Sequence, residues 1–449
     1  MDKKIDVCIA GGGVSGCAAA IASARNGAVT LLIEESGFLG GSLTLCGVGP
    51  MMTYFTGDKQ IIKGIGEEIV ARLKQKNGSC GHIEDTTKFV SYTTPFSSEL
   101  LKLVLDEMME EAGVKVLFHT SVAEAKSKEG TISEVTICNC EGLSKVQADI
   151  YIDATGDGDL AYMSGAAMTK GRESDHKMQP MTMNVKYCNV DISQLKNHIL
   201  EHLDEFPRLK DKEELIRSGI PIAVAGFSKE MKAAMDRKEL SFPREELLLF
   251  ETNVPGEVII NTTRIIGLDP TNAEELSKGE ALGRKQCFEL DLFLRREIPG
   301  FESAVLEFTG PKIGARSSRQ LVGVYTLTAE DILSCKTFPT KICLSAYPID
   351  IHNPSGAGTE SAALSEPGTH YELPFEILYG QDINNLLVAG RCASASFEAQ
   401  AAIRLTPSAF ALGQAAGTAA ALCISQNIKV SELNVAELQV KLLEQDAVL

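Results

Sequence analysis

Ile5-Asp6-Val7-Cys8-Ile9-Ala10-Gly11-Gly12-Gly13-Val14-Ser15-Gly16 is the stretch on which the fold turns. Its first half is a short, almost unbroken apolar run, as in a strand buried on both faces of a parallel sheet. Its second half is a G-x-G-x-x-G turn through Gly11, Gly13 and Gly16. Cys17 to Arg25 is Ala-rich and helix-forming, and Asn26-Gly27 stops it. Val29-Thr30-Leu31-Leu32-Ile33 then reads as a second strand ending at Glu34, with Glu35 behind it. Each part has a mechanical role. Gly11 permits the tight turn, Gly13 lets a diphosphate approach the backbone, and Gly16 lets helix and sheet pack closely. With Gly12, Val14 and Ser15 completing the turn, the helix start offers free N–H groups and a positive dipole end to phosphates. Glu34 can accept hydrogen bonds from a ribose diol and would repel a 2′-phosphate. Together these features predict a Rossmann-type dinucleotide site.

Three later segments favour FAD over NAD. Gly37-Phe38-Leu39-Gly40-Gly41-Ser42 follows the acidic strand end and allows backbone and a hydroxyl to meet the far side of a long dinucleotide. Ala148 to Asp153 reads as a strand ending in Ala154-Thr155-Gly156-Asp157, small residues at the strand edge where open α/β sheets bind ligands. Asn385 to Ala389 is another buried-type strand, closed by Gly390-Arg391. Beyond it, Thr406-Pro407-Ser408 opens a small-residue helix, with Thr406 as the expected N-cap and Pro407 in the first turn.

Bulk composition narrows the partners. Lys plus Arg total 43 against 60 Asp plus Glu, a net charge of −17 that repels nucleic acid and anionic membranes. The twelve cysteines include no C-x-x-C pair, and Cys8, Cys17 and Cys423 sit in apolar runs, as expected of a reducing cytoplasm. Lys3 and Lys4 ahead of an apolar run ending at Ala22-Ser23-Ala24 imitate a secretory signal, but Gly11 to Gly13 and Gly16 interrupt that run. The apolar stretch Ala409 to Ile424 is short and rich in Ala and Gly, so a membrane span is not expected. No metal site is expected either: Cys138 and Cys140 lack further ligands, and His198 and His202 read as a solvated helix face.

The chain resembles the bacterial FAD-dependent oxidoreductases of glutathione-reductase-type fold, distantly related to the fumarate reductase and succinate dehydrogenase flavoproteins. The resemblance spans nearly the whole chain. It rests on the Gly11–Gly16 loop with Glu34, the Gly-Phe-Leu-Gly-Gly run, Ala154 to Gly158, Gln179-Pro180-Met181-Thr182, Gly314 to Arg319 and Tyr347 to His352. Leu387 to Arg391 and Gly413-Gln414-Ala415-Ala416-Gly417 complete it. One departure stands out: after Ser394-Ala395-Ser396, where the family pattern leads one to expect His, this chain has Phe397. The resemblance implies one FAD, backbone contact with adenine near Ser121-Val122-Ala123, and a redox reaction with a small molecule.

The expected architecture is α/β: a Rossmann-type FAD domain, its parallel sheet carrying an antiparallel addition, interrupted by an inserted substrate or cap domain. Ser97 or Ser98 should cap a helix through Ala112, and Ile132 to Ile137 and Lys145 to Ile152 read as added strands. The boundaries read as 1–170 and 345–449 for the FAD domain and 171–344 for the cap. FAD carries the electron chemistry, leaving the protein to position substrate and manage protons. Arg264, Arg316, Arg319 and Arg404 lie in segments expected to bracket the flavin face, where guanidinium groups would select a carboxylate. Tyr347 and His352 are candidate proton carriers, with Asp350 to orient them and a loop around Gly356 and Gly358 as a lid. Cys46, a few residues beyond Gly41, reads as a packing residue near the flavin. These residues point to hydride transfer between flavin N5 and a small, carboxylate-bearing molecule, with a diffusible or protein electron partner. Two alternatives are a flavin-binding electron-transfer subunit of a larger complex and an FAD enzyme without net redox change.

Overall fold

Ile5–Ala10 forms the middle of a five-stranded parallel sheet in the computed structural model, which describes residues 4–364 and 368–449. Lys3, part of the basic start, lies outside the described residues. Ala148–Asp153 and then Leu386–Val388 pair on one side of the first strand, and Thr30–Ile33 and then Lys115–Leu117 on the other. Leu31, Leu32 and Ile33 are all fully enclosed, which explains why these strands read as unbroken apolar runs. The helix Val14–Arg25 covers the sheet, and the helix Ser98–Ala112, capped by the Ser97 hydroxyl, packs beside it.

The antiparallel addition is a three-stranded sheet of Ser121–Lys128, Thr131–Asn139 and Gly142–Val146. Lys145 to Ile152 is therefore not one strand. It breaks at Gln147, and Ala148 starts the parallel strand beside Ile5–Ala10. Gly142 to Lys145 are all exposed, whereas burial is continuous from Ile150 to Asp153.

A second hydrophobic core draws on residues from Met181 to Ile313. Its five-stranded antiparallel sheet has the order Ala223–Gly226, Leu247–Glu251, Val258–Ile260, Val185–Cys188, Val305–Thr309. The helix Ala273–Glu297 lays Gly279, Gly283, Cys287, Leu290 and Leu294 on it, the spacing of one helix face. The chain leaves the first unit along Met168–Lys170 and returns along Arg319–Leu321, and these two segments pair antiparallel.

The helix Thr406–Gln426 is apolar and long enough to cross a membrane by length and composition, yet most of it is buried by protein. A Cβ on Gly413 would stand 2.1 Å from the Ser15 carbonyl oxygen, and one on Gly417 2.1 Å from that of Ala19. These glycines let the helix lie directly on Val14–Arg25, which is why its sequence is so rich in small residues. Thr406 is its first helical residue and not its N-cap: Leu405 occupies the cap position and no side chain closes that end. Pro407 still sits in the first turn, where its missing N–H costs nothing.

Candidate active site

The C-terminal ends of the parallel strands open into one cavity of about 550 Å³ that runs on toward the second sheet. At one end lie Glu34, Glu35, Thr120, Ser121 and Val122; in the middle are Gly11, Gly13, Val14, Ser15, Gly41, Ser42 and Ala154 to Asp157. Gly390, Arg391 and Thr406 follow, and Arg316, Tyr347, Asp350, His352 and Arg404 line the far chamber.

The glycine turn is built as the sequence requires. Gly11 holds a left-handed φ of +96°, and a Cβ on Gly16 would stand 1.8 Å from the Gly11 carbonyl oxygen. Gly13 differs: its nearest neighbour to a Cβ is 3.9 Å away, so that face is open to the cavity. Gly12, Gly16 and Gly40 do not line the cavity but shape it, the Gly40 N–H donating to the Gly12 carbonyl at 2.9 Å. Glu34 accepts from the Gly12 N–H at 2.6 Å and from the Ser36 N–H and hydroxyl at 2.8 and 2.6 Å. Its oxygens are thereby fixed at the cavity wall with lone pairs to spare. Glu35 also lines the cavity and pairs with Lys312.

Arg391 spends its guanidinium on protein. It donates to the Gly156 carbonyl at 2.9 Å, to Asp157 at 2.6 Å and to the Ala315 carbonyl, clamping three segments of the wall together.

The far chamber is lined by cations. Arg316 donates to the Pro180 carbonyl at 2.7 Å and to the Thr182 hydroxyl. Burial, then the charges of Arg404 and Arg244, pull it well below the ordinary guanidinium value. Arg404 lies 3.8 Å from Asp350. Burial works against the charge of Asp350, but the His352 hydrogen bond and the charges of His352, Arg404 and Arg316 outweigh it, holding the carboxyl well below its usual range. Burial, aided by the Arg316 charge, lowers His352 to about 3. Burial and the neighbouring Asp350 raise Tyr347 well above the ordinary phenol value. At neutral pH the chamber therefore holds an ionised Asp350, a neutral His352 and a protonated Tyr347.

Two of the four sequence-singled arginines lie elsewhere. Arg264 stands behind the wall, donating to the carbonyls of Asn353 at 3.2 Å and Gly358 at 2.7 Å. It fastens the turn of the hairpin Ile349–His352 and Thr359–Ala362, the loop read as a lid. Arg319 pairs with Asp159 at 2.8 Å and lies over the Tyr162 ring at 4.4 Å, bracing the Asp157 loop from outside the cavity. Phe397 is buried at the start of the helix Phe397–Ile403 and lines no part of the cavity. Cys46 does line it, with burial raising its thiol to about 11.

A family model described as FAD dependent oxidoreductase matches residues 6–442. The chain belongs to this family. A comparison with curated proteins finds no match. Among solved structures, p-nitrophenol 4-monooxygenase from Pseudomonas putida DLL-E4 is 11% identical, with a TM-score of 0.51 over 100% of this chain and 87% of that one. A geranylgeranyl bacteriochlorophyll reductase-like protein from Thermoplasma acidophilum is 14% identical, with a TM-score of 0.48 over 99% and 84%. At 11% identity the likeness to the monooxygenase is one of fold.

The residues present fit the FAD this oxidoreductase family uses. The open face of Gly13 and the uncapped start of the helix at Thr406 leave backbone N–H groups for anionic parts of the cofactor. Glu34 and Val122 suit the adenosine end, Gly41, Ser42 and Ala154 to Gly156 the middle, and Gly390 and Thr406 the ring system. The sequence reading of this flavoenzyme missed Arg244, which lines the same chamber. It sits in the polar run Pro243-Arg244-Glu245-Glu246, where nothing distinguishes it from surface charge. Asn261 and Phe89, also on the wall, carried no sequence signal either.

Proposed function

We propose that this flavoenzyme oxidises or reduces a small carboxylate-bearing molecule, with a hydride exchanged between a substrate carbon and the flavin. Bound FAD supplies the redox chemistry there, as a two-electron acceptor or donor at N5. The observation carrying the reading is the arginine-lined chamber continuous with the cofactor cavity, in which Asp350 is a buried carboxylate set among Arg316, Arg404 and Arg244. Arg316 satisfies its hydrogen bonds on neutral oxygens and makes no ion pair among the described residues, so Asp350, which also faces Arg404, balances its charge only at a distance. An incoming carboxylate adds counter-charge to a chamber with more arginines than carboxylates.

Proton handling falls to His352 and Tyr347. The His352 Nε2 lies 3.4 Å from Asp350, as does the Tyr347 hydroxyl. Asp350 thereby favours the tautomer that carries its proton on Nε2, and Nδ1 has no partner among the described residues. The cationic surroundings make that nitrogen a poor base in the free protein. A bound carboxylate screens Arg316, raises the basicity of His352, and so couples proton abstraction to substrate capture. Twelve free cysteines accord with the cytoplasmic setting expected from the sequence. Electrons return through a diffusible carrier or a protein partner.

The test is a panel of saturated and unsaturated acids, offered anaerobically to the oxidised and reduced holoprotein while flavin absorbance is followed. Bleaching or reoxidation by acids, and not by their amides, supports the reading. A flavin that no acid reduces or reoxidises overturns it.

A further inference from the structure

The proposed function leaves open which arginine binds the acid and what kind of acid it is. Arg316 and Arg264 are already committed to protein oxygens, and Arg404 stands beside Asp350. Arg244 is the exception. It lines the chamber and, among the described residues, makes no hydrogen bond and no ion pair. Burial holds it below the ordinary guanidinium value even though Asp350, Glu246 and Glu245 pull the other way. A guanidinium with its whole donor fork unspent matches a carboxylate in bidentate geometry.

Its surroundings describe the rest of the ligand. Arg244 precedes the strand Leu247–Glu251, on which side chains alternate between faces. Glu246, Leu248 and Phe250 accordingly share the cavity face. Glu246 is engaged by Arg208 at 3.2 Å, so what this strand offers beside Arg244 is apolar. Phe89, packed edge-on against Tyr347 with ring centroids 5.4 Å apart, adds aromatic surface to the same chamber.

We propose that Arg244 is the substrate's carboxylate anchor, and that the substrate is an organic acid with an apolar chain or ring lying over Leu248 and Phe250. This rests on the reading of the site as one for carboxylates.

Isothermal titration calorimetry of the FAD-loaded protein with acetate, hexanoate, benzoate, hexanamide and benzamide tests it, with the visible spectrum confirming flavin content. Wild-type protein should bind hexanoate or benzoate about 10-fold or more tighter than the matching amide and than acetate. Arg244→Gln should weaken acid binding about 10- to 100-fold, the worth of a charged hydrogen-bonded contact, without weakening amide binding. Arg244→Lys keeps the charge without the fork and should lose an intermediate amount, which serves if the Gln variant does not fold. Phe250→Ala should erase the preference over acetate. Acid binding unchanged in both Arg244 variants overturns the anchor while leaving the carboxylate reading intact. A wild-type protein that does not distinguish acids from amides overturns both.

Discussion

Asp350 and His352 stand two residues apart on one strand, with Oδ2 and Nε2 3.4 Å apart, in a chamber otherwise rich in arginine. The pair concentrates the chamber's negative charge and its unpartnered imidazole nitrogen in one place.

Replacing Asp350 with Asn removes the anion that balances Arg404. Stability should fall by about 3–5 kcal/mol, as when one partner of a buried ionic cluster is deleted. The turnover number should drop about 100-fold as His352 loses the negative charge that orients it and stabilises its protonated form, while affinity for acids does not fall. Urea denaturation with steady-state kinetics separates these effects, and an unchanged turnover number would remove Asp350 from the mechanism.

The depressed value of His352, about 3, makes the fold acid-sensitive. An unfolded histidine takes up its proton near ~6.5. Below that pH the unfolded chain gains a proton that the folded chain refuses. The stabilisation is therefore complete above ~6.5 and is lost as pH falls toward 3. His352→Gln should flatten the decline in urea midpoint between about pH 6.5 and 5 relative to the unsubstituted protein; Asp153, raised to about 6 by burial, titrates there in both proteins and cancels in the comparison.

Gly13 and Gly16 should fail differently. Gly13 has a φ of −66° and no protein atom nearer than 3.9 Å to a Cβ, so Gly13→Ala should fold normally and hold FAD at least about 10-fold more weakly. Gly16→Ala forces a carbon to 1.8 Å from the Gly11 oxygen and should cost about 3 kcal/mol of stability before any cofactor is added. Flavin-to-protein ratio and thermal melting of the apoprotein distinguish the two.

Arg264 ties the 353–358 turn through two carbonyls. Arg264→Lys cannot reproduce the forked contact, and local opening should become about 10-fold more frequent, the worth of one net hydrogen bond. Limited proteolysis within that turn is the measurement; an unchanged cleavage rate would show that the hairpin holds itself.

The cofactor half of the site was legible because its chemistry is written in backbone. Gly11, Gly13 and Gly16 occur where strand meets helix, and an unbroken apolar run followed by an Ala-rich segment locates both. The chamber was legible only in part. Arg316, Arg404, Tyr347 and His352 reach the cavity, whereas Arg264 and Arg319 brace it from behind, and Arg244 arrives from a distant sheet. A guanidinium looks the same in sequence whether it faces a ligand or a carbonyl. Only the three-dimensional arrangement separates these roles. Thr406 shows a related limit: cap and first-turn positions differ by one residue and by little in composition.

The contact of Gly413 and Gly417 with Ser15 and Ala19 has a consequence for biosynthesis. The helix Val14–Arg25 leaves the ribosome long before the helix Thr406–Gln426 that covers it. Until that later helix has been made, an alanine-rich apolar surface waits uncovered, and nascent chains need protection from one another throughout that interval.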